Sequence, residues 1–435
     1  MKFLAILRDS LREAVDAKIF YVMLVLSGLL TLFAFSISFE PRPARETLEW
    51  MTQMTLSDMP KMAGPPGISN IEAAFRGWLR GPQMAQLHDV TDLDPQGGHV
   101  ATRRYRLRIA GLQSPDLMGR GPTVPALTAE QVGERFGKLG NFRMAEATEV
   151  KDLGNGQFEL TVVPTSAMRM AWHHEVRILF GLLPVVTRRG LPVGYELYFI
   201  ESNLVIDIGG WVTVLVSVII TAFFMPNMLQ KGTIDLLLAK PIHRWTLLVY
   251  KYIGGLTFIF LNTTVAIVGI WLALGVRSGI WASSLLLTIP VLTFYFAILY
   301  SVSVLFGVLT RSPVASILIT CFVWFLLFVV GVTHQFLELE RKIELERARA
   351  ENRQPEEEHW FPRVVRGVHK VLPRTRDLSV LNDLILRREL MTANQVAGTE
   401  LETVAFDWKE SLGVSLAFIA VMLGLACWRF SAKDY

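Results

Sequence analysis

Apolar residues are collected into long runs that are separated by polar stretches. A helix needs about 20 apolar residues to cross the hydrocarbon core of a membrane, which is about 30 Å thick. Runs of that length begin near Ile19, Ile208, Leu247, Ile280, Val314 and Leu412. The pattern predicts an α-helical polytopic membrane protein with six transmembrane helices.

Composition supports this fold class and excludes others. Hydrophobic residues make up 51% of the chain and charged residues 19%, whereas soluble domains carry about 25% charged residues. The net charge of +4 is small and scattered, so no nucleic-acid partner is expected. Cys321 and Cys427 lie inside apolar runs and match no metal-ligand spacing. We therefore predict no metal site.

The first apolar run covers residues 19–39 and is longer than the 7–15 residues of a signal-peptide core, so we interpret it as a retained span. Residues 1–18 before it predict an amphipathic helix in the membrane interface. The alternative is that they are the first turns of one long span. The apolar positions recur every four residues, at Phe3, Leu7, Leu11 and Val15.

Basic residues predict the orientation, because cytoplasmic loops carry an excess of Lys and Arg. Such residues lie before the first span, between the second and third, between the fourth and fifth, and after the sixth: Lys2, Arg8, Arg12, Lys18, Lys231, Lys240, Arg244, Lys251, Arg311, Arg429 and Lys433. The short loop on the other side holds only Arg277. Both termini are expected in the cytoplasm, with residues 40–207 and 335–411 outside a cytoplasmic (inner) membrane.

Residues 40–207 predict an α+β domain inserted between the first and second spans. Ser69-x-x-Glu72 and Thr128-x-x-Gln131 are capping-box patterns, and helices that begin there should end at Gly81 and Gly140. Alternation of apolar and polar residues predicts strands at residues 104–109, 158–162 and 195–199.

Two clusters in this segment could be mistaken for sites. His173-His174-Glu175 suggests a metal site, but adjacent residues on a strand point to opposite faces, so we interpret it as structural. Four arginines are interpreted as the solvated face of a strand, with contact to lipid headgroups as the alternative: Arg103, Arg104, Arg106 and Arg108.

Residues 335–411 predict helices outside the membrane. The fifth span begins at the N-cap pair Ser312-Pro313 and should continue as a charged helix that stops before Pro355. A second helix, over residues 377–387, is expected to lie at the interface with one apolar face, before the last span and the cytoplasmic tail at 412–435. That face comprises Leu378, Leu381 and Ile385.

The polar stretch at residues 228–246 divides the spans of the 208–334 segment. Gly232 allows a turn, Thr233 is a good N-cap, and Asp235 complements the helix dipole. Pro241 disfavours helix at Lys240. The result is a two-turn helix that is too short to be stable alone, so it must dock on lipid or on protein.

The sequence Lys231-Gly-Thr-Ile-Asp-Leu-Leu-Leu-Ala-Lys-Pro-Ile-His-Arg244, followed by Lys251, resembles the loop after the second span in type-2 export permeases of ABC transporters. The likeness is greatest to permeases grouped with nitrous-oxide-reductase maturation factors. It covers residues 1–40 and 208–435. The chain departs from the family in having Gln230 before the Gly-Thr pair and a much larger insertion at residues 41–203.

The resemblance implies a coupling helix that is seated in a groove of a cytoplasmic ABC ATPase. It also implies two permease copies, as a homodimer or a heterodimer, with the pathway at their interface. The coupling residues would be Lys231, Gly232, Thr233, Ile234, Asp235, Leu237, Leu238, Lys240, Pro241 and Arg244.

The chain contains no Gly-x-x-x-x-Gly-Lys-Ser/Thr phosphate loop. We therefore predict no catalytic residue and no cofactor in this chain, with ATP and Mg bound by the partner ATPase. No Asp or Glu lies deep in a predicted span, so a carboxylate relay is not expected. Asn262, Thr263 and Thr264 form the most polar cluster; they are candidates either for the pathway or for hydrogen bonds between helices.

Three functions remain open from the sequence. The first is export driven by a separate ATPase. The second keeps the ATPase but transmits motion to residues 40–207, acting on an external protein or lipid without transport. The third is a membrane-anchored binding protein.

Overall fold

The computed structural model describes residues 19–56, 86–110, 128–138, 140–144, 150–154, 157–185, 191–203, 216, 218–219, 222, 243–354, 359–391 and 408–432. In chain order the described elements are α1 (Ile19–Phe35), β1 (Ser38–Pro41), α2 (Ala44–Leu56), β2 (Gln86–Asp92), β3 (Tyr105–Ala110), α3 (Ala129–Lys138), β4 (Phe142–Met144), β5 (Val150–Gly154), β6 (Gln157–Pro164), α4 (Met168–Ala171), β7 (His173–Ile178), β8 (Leu183–Pro184), β9 (Leu191–Pro192), α5 (Val193–Ile200), α6 (Arg244–Ser278), α7 (Thr288–Thr310), α8 (Pro313–Ala350), α9 (Trp360–Val371), α10 (Thr375–Leu390) and α11 (Trp408–Ala432). Two 3₁₀ turns, at Val100–Thr102 and Ser283–Leu287, complete the set.

Apolar helices occupy five of the six predicted runs. In the part of the chain that is described, α6, α7 with its preceding 3₁₀ turn, α8 and α11 are long and apolar enough to cross a membrane, and α1 supplies a shorter apolar helix. The run that begins near Ile208 lies mostly outside the described residues. The chain is therefore a polytopic membrane protein.

The bundle is held by close contacts between neighbouring helices. α6 packs against α1 and α7, and α7 packs against α8 and α11. Gly255 leaves room for the fully buried ring of Tyr300, which stacks on Tyr252 with ring centroids 5.2 Å apart. The hydroxyls of Ser303 and Ser316 lie 3.0 Å apart in the buried contact between α7 and α8.

The helix ends form two faces of the bundle. We call the first the basic face; it carries the start of α6, the turn between α7 and α8, and the end of α11. At this face Cys427 Sγ lies 4.0 Å from the carbonyl of Trp245. Ser312 accepts a hydrogen bond from the Ala315 amide and Pro313 begins α8, which confirms the predicted N-cap.

The opposite end, which we call the module face, carries the α+β module formed by the described residues between 38 and 203. Arg277, near the end of α6, donates to the carbonyl of Ile37 at 2.9 Å and to the hydroxyl of Ser38. Its guanidinium also lies 5.7 Å from the ring centroid of Phe35. The module is thereby fixed to α6 as well as to α1.

The module contains two antiparallel sheets. In the first, β7 pairs with β1, β8 and β9; in the second, the order is β2-β3-β6-β4, and β5 also pairs with β6.

On β3, Tyr105, Leu107 and Ile109 are buried while the intervening arginines are exposed. This confirms the predicted strand and, for Arg104, Arg106 and Arg108, the solvated face; Arg104 pairs with Asp94 and Arg108 with Glu159, each at 2.8 Å. Arg103 differs from the prediction, because it is half-buried before the strand and pairs with Asp92 at 3.0 Å. The strand predicted at residues 158–162 is confirmed as part of β6.

The second capping box is also confirmed. The Gln131 side chain accepts from the Thr128 amide at 3.1 Å, and the Thr128 hydroxyl accepts from the Gln131 amide at 3.3 Å. α3 follows and ends at Lys138, and Gly140 takes a positive φ of 68° just beyond it. The Ser69–Glu72 box lies outside the described residues.

The strand predicted at residues 195–199 is wrong, since this segment is the helix α5. Its buried residues include Val193, Gly194, Leu197 and Tyr198, which follow helical spacing, whereas Tyr195 and Phe199 are exposed. A short apolar run has no decisive periodicity, and here contact with α10 selects the helix. α1 likewise ends at Phe35 rather than at residue 39, because Ser38–Pro41 pair with β7.

The helices after the fifth span are largely as predicted. α8 continues to Ala350, before Pro355, and its Glu338 pairs with Arg366 of α9 at 3.1 Å. α10 confirms the helix expected at residues 377–387. Of its predicted apolar face, Leu381 and Ile385 are half-buried and the Leu378 side chain is outside the described part of the chain; the side chains buried inside the protein include Asn382, Leu386 and Leu390.

Gly194→Ala should destabilise the contact between α5 and α10. A Cβ at this position would lie 1.9 Å from the carbonyl oxygen of Leu390, and such overpacking costs on the order of 1–3 kcal/mol. Thermal unfolding of the purified protein, followed by intrinsic fluorescence, should show a lower midpoint. Gly137→Ala on α3 is the matched control, because nothing lies within 4 Å of its Cβ. Equal midpoints for the two variants would contradict the close approach.

Candidate functional site

The predicted coupling residues lie almost entirely outside the described part of the chain. This applies to Lys231, Gly232, Thr233, Ile234, Asp235, Leu237, Leu238, Lys240 and Pro241. Arg244 is described: it is half-buried and is the first residue of α6, after the N-cap His243. The described chain thus resumes at His243, and α6 begins at the basic face.

The polar cluster on α6 is divided between two faces of the helix. Asn262 and Thr263 are buried, and the Thr263 hydroxyl has no hydrogen-bond partner among the residues that the structure describes. Thr264 is half-buried and donates to the Phe260 carbonyl of its own helix at 2.7 Å. The three side chains therefore do not form one polar surface. Lys251 is also buried, two turns into α6, where the sequence suggested only a flanking charge.

A carboxylate on α10 holds α5 on the module face. The Tyr198 hydroxyl donates to Asp383 Oδ1 at 2.7 Å, and the Ser202 hydroxyl donates to the same oxygen at 3.3 Å. Arg387 pairs with Asp383 Oδ2 at 2.9 Å, and its guanidinium lies 4.8 Å from the centroid of the Tyr198 ring. Burial, and then the bond to Asp383, raise the pKa of Tyr198 to about 12, so its hydroxyl stays a donor at neutral pH.

A second carboxylate on α10 holds the start of α7. Glu389 accepts from the Ser283 amide at 2.9 Å, the Ser283 hydroxyl at 3.0 Å and the Ser284 amide at 2.7 Å, so it caps the 3₁₀ turn that precedes α7. Burial raises the pKa of Glu389, but hydrogen bonds from Ser284 and Ser283 outweigh it and the net pKa is lowered. Nearby Glu201 is buried, and burial followed by the charge of Glu389 raises its pKa to about 8.

We call these contacts of Asp383, Arg387 and Glu389 with α5 and the 3₁₀ turn the α10 junction. These contacts join α5, which precedes the second predicted span, to the 3₁₀ turn at the start of the fourth predicted span. Sequence reasoning missed the junction. The available signal was the opposite-charge pair Asp383 and Arg387, four residues apart on a predicted helix.

Comparison with known protein families identifies the class of protein. Residues 128–435 match the family described as ABC-2 family transporter protein. The chain belongs to this family. The match covers more than two thirds of the chain and begins at Thr128, the residue that caps α3. The protein is therefore a membrane permease component of an ABC transporter. No curated protein matches the chain.

The ABC-2 permease carries a second polar cluster where α8, α9, α10 and α11 meet. His369 is buried and stacks on His334 with ring centroids 3.7 Å apart. Burial, and then His334, lower the pKa of His369 to about 4. His369 is therefore neutral at neutral pH, and its contact with Asp377 at 3.9 Å is not an ion pair. Asp377 instead accepts from the Ser411 hydroxyl at 2.8 Å, which ties α10 to α11.

The adjacent histidines of β7 point to opposite faces, as predicted. The His173 ring lies 4.5 Å from Trp50, and the His174 ring stacks on His99 at 6.1 Å. Both are buried, and burial lowers the pKa of each to about 4. Within the described ranges no group of three His, Cys, Asp or Glu side chains could hold a metal ion.

Tyr198→Phe should weaken the α10 junction, because it removes the hydroxyl that donates to Asp383. A hydrogen bond to a charged group contributes about 1.5–3 kcal/mol, and the loss should be smaller when Asp383→Asn is already present. Hydrogen exchange of the α5 amides measures the effect. Tyr195→Phe is the control on the same helix, since Tyr195 is exposed. Equal effects of Tyr198→Phe with and without Asp383→Asn would show that the two residues are not coupled.

Acid should destabilise the module through His173 and His174. Their pKa values are about 4 in the folded protein, below the ordinary histidine value of 6.5, so between these values the unfolded chain binds more protons. Stability is full above pH 6.5 and falls toward pH 4, by about 1.4 kcal/mol per pH unit for each group.

Hydrogen exchange of β7, corrected for the intrinsic effect of pH, should show this loss of protection. The double substitution His173→Asn and His174→Asn should flatten it, whereas His88→Asn, at an exposed position in the same module, should not. The same acid dependence in the double variant would refute this cause.

Proposed function

We propose that this ABC-2 permease exports a substrate across the cytoplasmic membrane, driven by ATP hydrolysis in a separate cytoplasmic ATPase. One observation carries the proposal: α6, which follows the polar segment 228–243 in the sequence, begins at the basic face. The excess of Lys and Arg at that face favours its location in the cytoplasm, where an ATPase could dock. Both termini would then be cytoplasmic.

The coupling helix, Ile234–Lys240, would dock in a groove of the ATPase. The chain has no phosphate loop of its own, so ATP and Mg would be bound by the partner. ATP binding would close a pair of ATPase subunits and move the coupling helices, followed by rigid-body gating of the spans. The loop resembles that of permeases grouped with nitrous-oxide-reductase maturation factors, which supports placing the chain near that group.

Helix α6 is suited to carry this motion across the membrane. It has 35 residues, or about 50 Å, in one continuous helix. A displacement at Arg244 would reach Arg277, which bonds to Ile37 and Ser38 at the base of the module. The other end of the coupling path would therefore lie at β1.

The pathway would lie between two permease copies, in a homodimer or a heterodimer. Of the polar cluster on α6, Thr264 is the least buried, so it is the member that could meet a second copy. Asn262 and Thr263 are buried within the chain, which favours a role in helix packing for these two.

The α10 junction and Arg277 favour a second candidate function, transmission of motion to the module without transport. Both features fix the module to the spans, so a gating motion would also move the module against an external protein or lipid. ATP-dependent change in module hydrogen exchange, with no substrate flux in vesicles, would support this function over export.

Asp235→Arg and Leu237→Glu should abolish co-purification of a phosphate-loop ATPase with the protein, because they spoil the charge and the apolar face of the coupling helix. The measurement is gentle purification from the native membrane, followed by identification of the subunits that accompany the permease.

The matched controls are Asp89→Arg and Leu153→Glu, the same substitutions at exposed positions of the module. They should retain the ATPase. If the wild-type protein brings no ATPase, or if the loop variants bring as much as the controls, the proposed function fails.

A further inference from the structure

We propose that the tip of the β7–β8 hairpin, residues 179–185, inserts into the membrane leaflet on the module side. We call this segment the apolar hairpin. Its partner is the lipid of the bilayer, at the boundary between acyl chains and headgroups. The proposal depends only on the chain being a membrane protein, not on its coupling to an ATPase.

The apolar hairpin exposes more apolar surface than a hairpin in water should. Its sequence is Leu-Phe-Gly-Leu-Leu-Pro-Val, with no polar side chain. Turns in water favour Gly, Asn, Asp and Ser, and a contiguous exposed apolar patch marks an interaction site. The exposed fractions of its large side chains are 44% for Leu179, 58% for Phe180, 79% for Leu182, 50% for Leu183 and 41% for Val185.

The position of the apolar hairpin selects lipid as the partner. The Phe180 amide donates to the Ser36 carbonyl at 2.8 Å, and the Phe180 ring meets the Phe35 ring edge-on at 6.4 Å. Phe35 is the last residue of α1, whose 17 residues span about 25 Å. Since the hydrocarbon core is about 30 Å thick, Phe35 and the hairpin beside it lie at its edge.

The apolar hairpin also continues the exposed surface of α1. Val25, Leu29 and Leu32 of α1 are 55–61% exposed, as expected for side chains that face lipid. On the polar side, Arg177 at the base of the hairpin pairs with Glu175 at 3.2 Å and with Glu40 at 3.5 Å. The change from ion pairs to apolar side chains thus occurs within two residues, between Arg177 and Leu179, as at the surface of a bilayer.

The backbone of the turn gives a separate reason. Leu179 and Phe180 have positive φ angles of 52° and 58°, a region that large side chains rarely occupy. Both side chains remain largely exposed, so burial within the chain offsets this conformation only in part. Transfer of the exposed apolar surface into lipid does offset it.

The test places an environment-sensitive fluorophore on the Leu182→Cys variant of the full chain, with Cys321→Ala and Cys427→Ala removing the native thiols. The protein is reconstituted in phospholipid vesicles with nitroxide-labelled lipid, the nitroxide being near the headgroup or deep in the acyl chain. We expect blue-shifted emission and strong quenching by the shallow nitroxide, with weaker quenching by the deep one.

The control is the same fluorophore on Leu153→Cys, a 49% exposed position on β5 in the second sheet of the module. Its emission should be that of a probe in water and should not respond to either nitroxide. Because Leu182 is the most exposed residue of the hairpin, its substitution should leave folding intact.

Two results would overturn the proposal. Emission from Leu182→Cys that matches the control would show that the hairpin lies in water. Blue-shifted emission without quenching by either nitroxide would show that protein, such as a second copy of the chain, covers the hairpin instead of lipid.

Discussion

A hydrocarbon core offers no hydrogen-bond partners to the peptide backbone, so an apolar run that crosses it must bond internally as a helix. Because of this constraint, the spans carry polar contacts to distant parts of the chain at their ends. Arg277 bonds to the first residues after α1, and Glu389 caps the turn before α7. Inside the bundle the contacts are mainly apolar and aromatic, such as the stack of Tyr252 on Tyr300 beside Gly255.

The consequence is a molecule in which stiff helices connect two faces of different chemistry. The basic face gathers the start of α6 and the end of α11, while the module face carries nearly all the ion pairs and carboxylates described above. On the module face α10 connects two segments that are far apart in sequence, because Asp383 bonds to α5 and Glu389 bonds to the turn before α7. A motion of any span that is attached to this face would therefore also move the module. This holds for both of the proposed functions.

The elements that could be predicted are those whose signal is local. Thr128 and Gln131 satisfy each other's amides within one turn, and the alternation on β3 follows from one buried face. α5 could not be predicted, because Tyr195, Leu197 and Phe199 alternate as in a strand until contact with α10 decides between helix and strand. The buried face of α10 likewise depends on distant residues: Asn382 is buried and donates to Thr288 at 2.9 Å, a partner 94 residues away.

The sequence by itself determined that the chain is a membrane protein, where most of its spans lie and which ends carry the basic residues, because hydrophobicity and charge act over a few residues at a time. The likeness of residues 231–244 to ABC permeases was also visible in the sequence, and the family match agrees with it. Only the tertiary structure decided that α10 joins α5 to α7, that the polar cluster on α6 is divided, and that the apolar hairpin lies beside Phe35. These relations depend on side chains that are far apart in sequence, and local patterns carry no information about which of them meet.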